Sequence, residues 1–120
     1  MRKILLAILV FATSALAADF TGNWTGEGVT SNGESHPLFF VLRQDGNTLT
    51  GSGGPDATEQ HAFSLARIEG NKITLEVGVG QKGVIHFELK ADDGALKGTV
   101  ELRREQGTEA GTVTMKKVTV

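Results

Sequence analysis

Three phenylalanines and three glycines recur in step at 24-residue intervals: Phe39, Phe63 and Phe87, with Gly46, Gly70 and Gly94. They sit in FFVLRQDGNTLTG (39–51), FSLARIEGNKITL (63–75) and FELKADDGALKG (87–98). Each stretch is a short run of alternating apolar and polar residues, a glycine-containing break and a second such run. That is the pattern of a β-hairpin, and a repeat of hairpins constrains a chain strongly, because one hairpin cannot bury its own apolar face. Beyond Phe20 no helical period competes with it. The chain is predicted to be all-β.

Loop length follows from side-chain parity. Directly opposed residues of an antiparallel pair lie on one face, so their residue numbers add to a constant along the hairpin. For Phe63 and Leu65 to share a face with Ile73 and Leu75, that sum must be even, which calls for a three-residue loop Glu69-Gly70-Asn71. Phe39 and Val41 match Leu49 in the same way across Asp45-Gly46-Asn47. The third unit is a residue shorter and calls for a two-residue Asp93-Gly94 turn, with Phe87 opposite Val100.

With the flanking runs, about eight strands are predicted, at 20–30, 36–44, 48–53, 60–68, 72–79, 84–91, 95–103 and 111–119. Short loops join them all, so the fold expected is a small up-and-down antiparallel barrel, whose closure removes exposed edges. The inward set is Trp24, Phe39, Val41, Leu49, Phe63, Leu65, Ile73, Leu75, Val77, Ile85, Phe87, Leu89, Leu96, Val100, Leu102, Val113 and Met115. His86, Glu76, Glu88, Glu101 and Arg103 belong to the opposite face.

The N-terminus reads as a cleaved signal-peptide helix: Arg2 and Lys3, an apolar run from Ile4 to Ala12, then the small-residue site Ala15-Leu16-Ala17. The run is shorter than the roughly 20 apolar residues that cross a bilayer. The expectation is a signal peptide over 1–17 and a single exported barrel domain over 18–120, periplasmic or extracellular, with no transmembrane segment. Without Arg2 and Lys3, ten of the 12 Lys and Arg remain against 14 Asp and Glu, a net charge of −4. That sign argues against nucleic acid and anionic membranes as partners. There is no cysteine, so neither disulfides nor thiolate chemistry contributes.

FTGNW, opening the first strand, and GTVTMKKV, closing the last, resemble the G-x-W start and final strand of the calycin group, which includes lipocalins and avidins. The D-F-x-G-x-W opening with repeated D-G-N hairpins resembles, over nearly the whole mature chain, small exported bacterial proteins mostly without an assigned function. In lipocalins the corresponding tryptophan packs across one end of the barrel beside a basic residue of the last strand. The resemblance therefore implies that Trp24 caps the barrel, with Lys116, Lys117 or Arg103 beside it. With one Trp and no Tyr, the chain lacks the aromatic lining of an avidin-like biotin site.

A closed void of about 300 Å³ would cost roughly 7 kcal/mol, comparable with the whole stability of a small domain, so a packed interior is expected. Should the barrel instead hold a small apolar ligand, the contacts expected are Trp24, Phe39, Phe63, His61 and Phe87, with the mouth near Trp24, His61 and the glycine-rich lip 51–59. His36, His61 and His86 do not converge by parity, so no metal site is expected, and no cofactor. Asp45, Glu69, Asp92 and Asp93 are turn residues, and no nucleophile elbow or phosphate loop is present, so no enzyme is expected. In the second strand both faces are apolar. With Phe39 and Val41 inward, Leu38, Phe40 and Leu42 form an outward stripe, which means a contact for a protein partner, a covering terminal segment or a different strand register, the first being preferred. The function expected is a non-enzymatic exported binding or envelope-associated module. The alternatives are a carrier of a small apolar ligand, and an inhibitor presenting loop 51–59 or the Arg103–Gln106 corner to an exported enzyme.

Overall fold

The structure is a computed structural model and describes residues 19–118. The signal-peptide segment 1–17 and the end of the last expected strand lie outside the described residues. Those residues form nine antiparallel strands: β1 (Gly22–Thr30), β2 (Ser35–Asp45), β3 (Thr48–Gly54), β4 (His61–Ala62), β5 (Leu65–Glu69), β6 (Lys72–Gly78), β7 (Val84–Asp92), β8 (Ala95–Arg104) and β9 (Gly107–Lys117). A single 3₁₀ turn, Gly80–Lys82, interrupts the β6–β7 connection. The fold is the expected all-β up-and-down meander. Its strands form one sheet in the order β4-β3-β2-β1-β9-β8-β7-β6-β5, curled into a half-barrel.

First and last strands lie side by side, with Trp24 opposite Lys117 and Gly28 opposite Val113. The two ends of the sheet meet through the chain itself. The strand expected over 60–68 is split: β4 pairs with β3, whereas β5 pairs with β6. Between them the Phe63 N–H donates to the Gly51 carbonyl (3.0 Å) and the Ser64 N–H to that of Glu76 (2.8 Å). One segment thus leaves one edge of the sheet and joins the other within two residues, in place of a continuous closing ladder.

The loop lengths correct the expected register. Asp45 pairs with Thr48 and Glu69 with Lys72, so the first two hairpins turn on two residues, Gly46-Asn47 and Gly70-Asn71. In both the glycine takes the first loop position at positive φ, 62° and 64°, the placement that a type II′ turn requires. The third hairpin turns on Asp93-Gly94 as expected, with both residues at positive φ, the type I′ pattern.

Shortening the first loop by one residue inverts the whole of β2. Phe40 and Leu42 are 1% and 2% exposed, while Phe39 is half-buried on the outer side and Val41 is exposed. The outward stripe of Leu38, Phe40 and Leu42 therefore does not exist: Phe40 and Leu42 belong to the core, and Leu38 packs against it. Burying a side chain of this size contributes roughly 1.5–3 kcal/mol, and burying Phe40 and Leu42 removes more apolar surface than burying Phe39 and Val41 would. In β5 the same change turns Ala66 and Ile68 toward the core and places Leu65 opposite Glu76. Phe63 still packs against the core because the break at 63–64 inserts one residue into the alternation, as a β-bulge does.

The core is continuous and apolar, built from Phe20, Trp24, Phe40, Leu42, Leu49, Ile73, Leu75, Val77, Phe87, Leu89, Leu96, Val113 and Met115. It contains no buried polar or charged residue among those described.

Candidate functional site

The interior differs sharply between its two ends. At the end carrying the tight hairpin loops, Trp24 is 4% exposed, and its indole Nε1–H donates to the Phe20 carbonyl at 3.0 Å. The Lys117 ammonium stands 5.2 Å from the ring centroid and donates to the Asp19 carbonyl at 3.4 Å. The Phe20 N–H is held by Gln44 Oε1 at 3.0 Å. Trp24 is thus a plug at one end with a cation of the last strand over it, and Lys117, not Lys116 or Arg103, is that cation.

The other end is a cup of about 530 Å³, open to solvent. Its apolar walls are Leu38, Phe40, Val77, Val79, Ile85, Phe87, Val100 and Leu102. At the floor Phe40 meets the Phe87 ring edge-to-face with centroids 5.0 Å apart, and Phe63 supports Phe40 in the same way at 5.3 Å. Gly28, Gly53 and Gly111 all line it, but a Cβ on Gly53 would meet the Phe40 and Phe63 rings at 2.9 Å and one on Gly111 the Val29 carbonyl at 2.4 Å, so those two permit close approach rather than leave space. A Cβ on Gly28 would meet nothing closer than Leu38 at 3.5 Å, an ordinary contact, so this glycine leaves usable space. Gly26, two residues back on the same face, is different. There a Cβ would sit 2.0 Å from the Thr114 carbonyl, so Gly26 permits the close approach of β1 and β9.

The expectation of a packed interior is therefore corrected for this half. The cost assigned to a void applies to closed, dry space, whereas a cup open to water is solvated. Of the residues expected to contact a ligand, His61 and Phe87 line the cup. Phe63 stands behind Phe40. Trp24 lies at the plugged end and is not part of the lining, and Phe39 faces outward, for the reason of register given above. The lining contributed by Leu38 and Phe40 was missed on the same account, whereas the three glycines carry no side chain for the alternation to report.

The rim is polar and predominantly acidic. Glu34, Glu59, Glu109, His36, His61 and Arg104 all line the mouth. Arg104 Nη2 lies 3.7 Å from Glu109 Oε1, and no ion pair reaches Glu34 or Glu59 among the described residues. The lips are ordered by local bonds. The Glu34 N–H donates to Thr30 Oγ1 at 3.1 Å, and the Ser31 N–H to the Ala110 carbonyl at 3.0 Å. In the glycine-rich lip Asp56 accepts from the Thr58 hydroxyl and from the Thr58 and Glu59 N–H groups, which holds its carboxyl below the usual range. Gln60 Nε2 ties the same lip to the Phe39 carbonyl at 2.9 Å. The glycine-rich lip is thus held in place by its own side-chain hydrogen bonds.

His86 belongs to a separate, outer-face cluster. Its Nδ1 lies 2.7 Å from Glu76 Oε2 and its Nε2 2.9 Å from Glu88 Oε2, across β6 and along β7. Arg103 pairs with Glu101 at 2.9 Å and lies 3.7 Å from Glu76. Burial alone pushes the imidazole pKa down, but the hydrogen bonds to Glu88 and Glu76 outweigh it and leave the pKa raised. Two carboxylates facing both ring nitrogens are best served by an imidazolium, which has two N–H donors. No group of three or more His, Asp or Glu among the described residues is arranged to hold a metal ion. No protein-family model matches the chain, and no curated protein matches it in a sequence search.

Proposed function

We propose that this chain is an exported, non-enzymatic binding module that takes a small apolar or amphiphilic ligand into the open cup. The observation that carries the reading is the asymmetry of the interior: one end plugged by Trp24, the other an apolar space of about 530 Å³, within the range of small-molecule sites. The apolar walls give affinity by removing ligand surface from water, and the mouth confines polar groups to one end. A calycin-like ancestry fits the plug, the Lys117 cation and the β1–β9 pairing. Export to the periplasm or beyond is supported by the Arg2-Lys3 start, the apolar run and the Ala15-Leu16-Ala17 site.

The test is titration with an uncharged apolar dye whose emission rises on transfer out of water. The wild-type protein should bind it with saturation, and Gly28→Leu, which fills the cup from its wall, should abolish binding while keeping the far-ultraviolet circular dichroism. Equal dye binding by both proteins would remove the cup as the site.

A further inference from the structure

Building on the cup as a ligand site, we infer that its occupant is a cationic amphiphile: an alkyl or aryl body carrying an ammonium or amidinium head. The apolar walls select the body and the mouth selects the head. Of the three carboxylates at the mouth, Glu109 has Arg104 beside it. Glu34 and Glu59 have no cationic neighbour within ion-pair distance among the described residues. Neither carboxylate is explained by the fold. The bonds that order the two lips use the Glu34 and Glu59 backbone N–H groups, not the side chains.

An anionic head entering this mouth would approach two carboxylates with no ion-pair partner among the described residues, and Arg104 there is already beside Glu109. An ammonium head meets them with the favourable sign, beside an apolar wall where the field is less screened than in open solvent. The mouth therefore discriminates by repulsion as well as by attraction. The exposure of the rim keeps the effect modest and salt-dependent.

The experiment is calorimetric titration of the protein, at neutral pH and low salt, with decylamine, decanol and decanoate, all below their aggregation concentrations. The three share one body and differ only in the head. Decylamine is expected to bind about five- to tenfold more tightly than decanol, with decanoate weakest, because an exposed carboxylate contributes only modestly to an ion pair. Raising the salt should shrink the difference, and Glu34→Gln/Glu59→Gln should bring decylamine to the decanol level without moving decanol. Equal binding of all three, or tightest binding of decanoate, overturns the head-group inference and leaves the cup standing. Absence of binding by all three, with Gly28→Leu indistinguishable from wild type, overturns both.

Discussion

The plugged end and the open end are built from the same strands, yet one is a core and the other a container. Toward the plug, inward positions carry Trp24, Leu42, Leu49, Ile73, Leu89, Leu96 and Met115, and the loops joining the strands have two residues. Toward the mouth, three inward positions are glycine, and the alternation runs out into His36, Arg104 and Glu109. Strand pairing continues to both ends. What differs is the side-chain volume that each layer of the curl receives. A small disulfide-free β protein can therefore keep a hollow by concentrating its cohesion at one end, provided that the hollow is wet.

That contrast can be broken most severely at the plug and at the floor of the cup. Trp24→Ala and Phe40→Ala should each lower unfolding free energy by about 3–5 kcal/mol, a large part of the 5–15 kcal/mol typical of a domain. Urea denaturation measures both. Phe39→Ala, one residue away but on the outer side, should cost about 1 kcal/mol or less. A loss from Phe39→Ala equal to that from Phe40→Ala would mean that the β2 register is the other one.

Glycines sharpen the comparison next. Gly26→Ala should destabilise by about 1–3 kcal/mol, since its Cβ would press into the Thr114 carbonyl. Gly28→Ala should be neutral or stabilising by about 0.4–1 kcal/mol, because it meets only ordinary contacts and loses freedom in the unfolded chain. Thermal melts of the two variants should diverge in sign.

A smaller effect is expected from Lys117→Met. Removing the cation above Trp24 should cost about 0.5–1 kcal/mol in urea while leaving dye binding in the cup unchanged. Altered dye binding would show that plug and cup are coupled.

The smallest concerns neither end. The His86 pKa is raised above 6.5 in the folded state by Glu88 and Glu76, so its stabilisation is complete below that value. It is lost as pH rises through the folded pKa. Since Glu88 is half-exposed, the change should stay below about 1 kcal/mol. His86→Asn should flatten this part of the stability profile, measured by urea midpoints from mildly acidic to mildly alkaline pH; an unchanged profile would remove the cluster as a determinant.

The 24-residue repeat shows how much could be read and where reading stopped. Phe39, Phe63 and Phe87 are equivalent in sequence, yet the first faces outward, the second sits at a strand break and the third lines the cup. Gly46 and Gly70 open their turns, whereas Gly94 closes one that begins at Asp93. Glycine spacing alone does not report that one-residue offset, and within residues 38–42, apolar on both faces, alternation does not choose between the registers.

By itself the sequence determined the all-β class, the succession of short hairpins and the Asp93-Gly94 turn. Period-two alternation and turn chemistry are local, and they survive whatever the neighbours do. The tertiary structure alone decided which face of β2 is buried, where the fourth expected strand divides, and that Gly28, Gly53 and Gly111 converge on one hollow. Those depend on the relative placement of strands far apart in the chain. Empty space is a property of that placement, carried by no single residue.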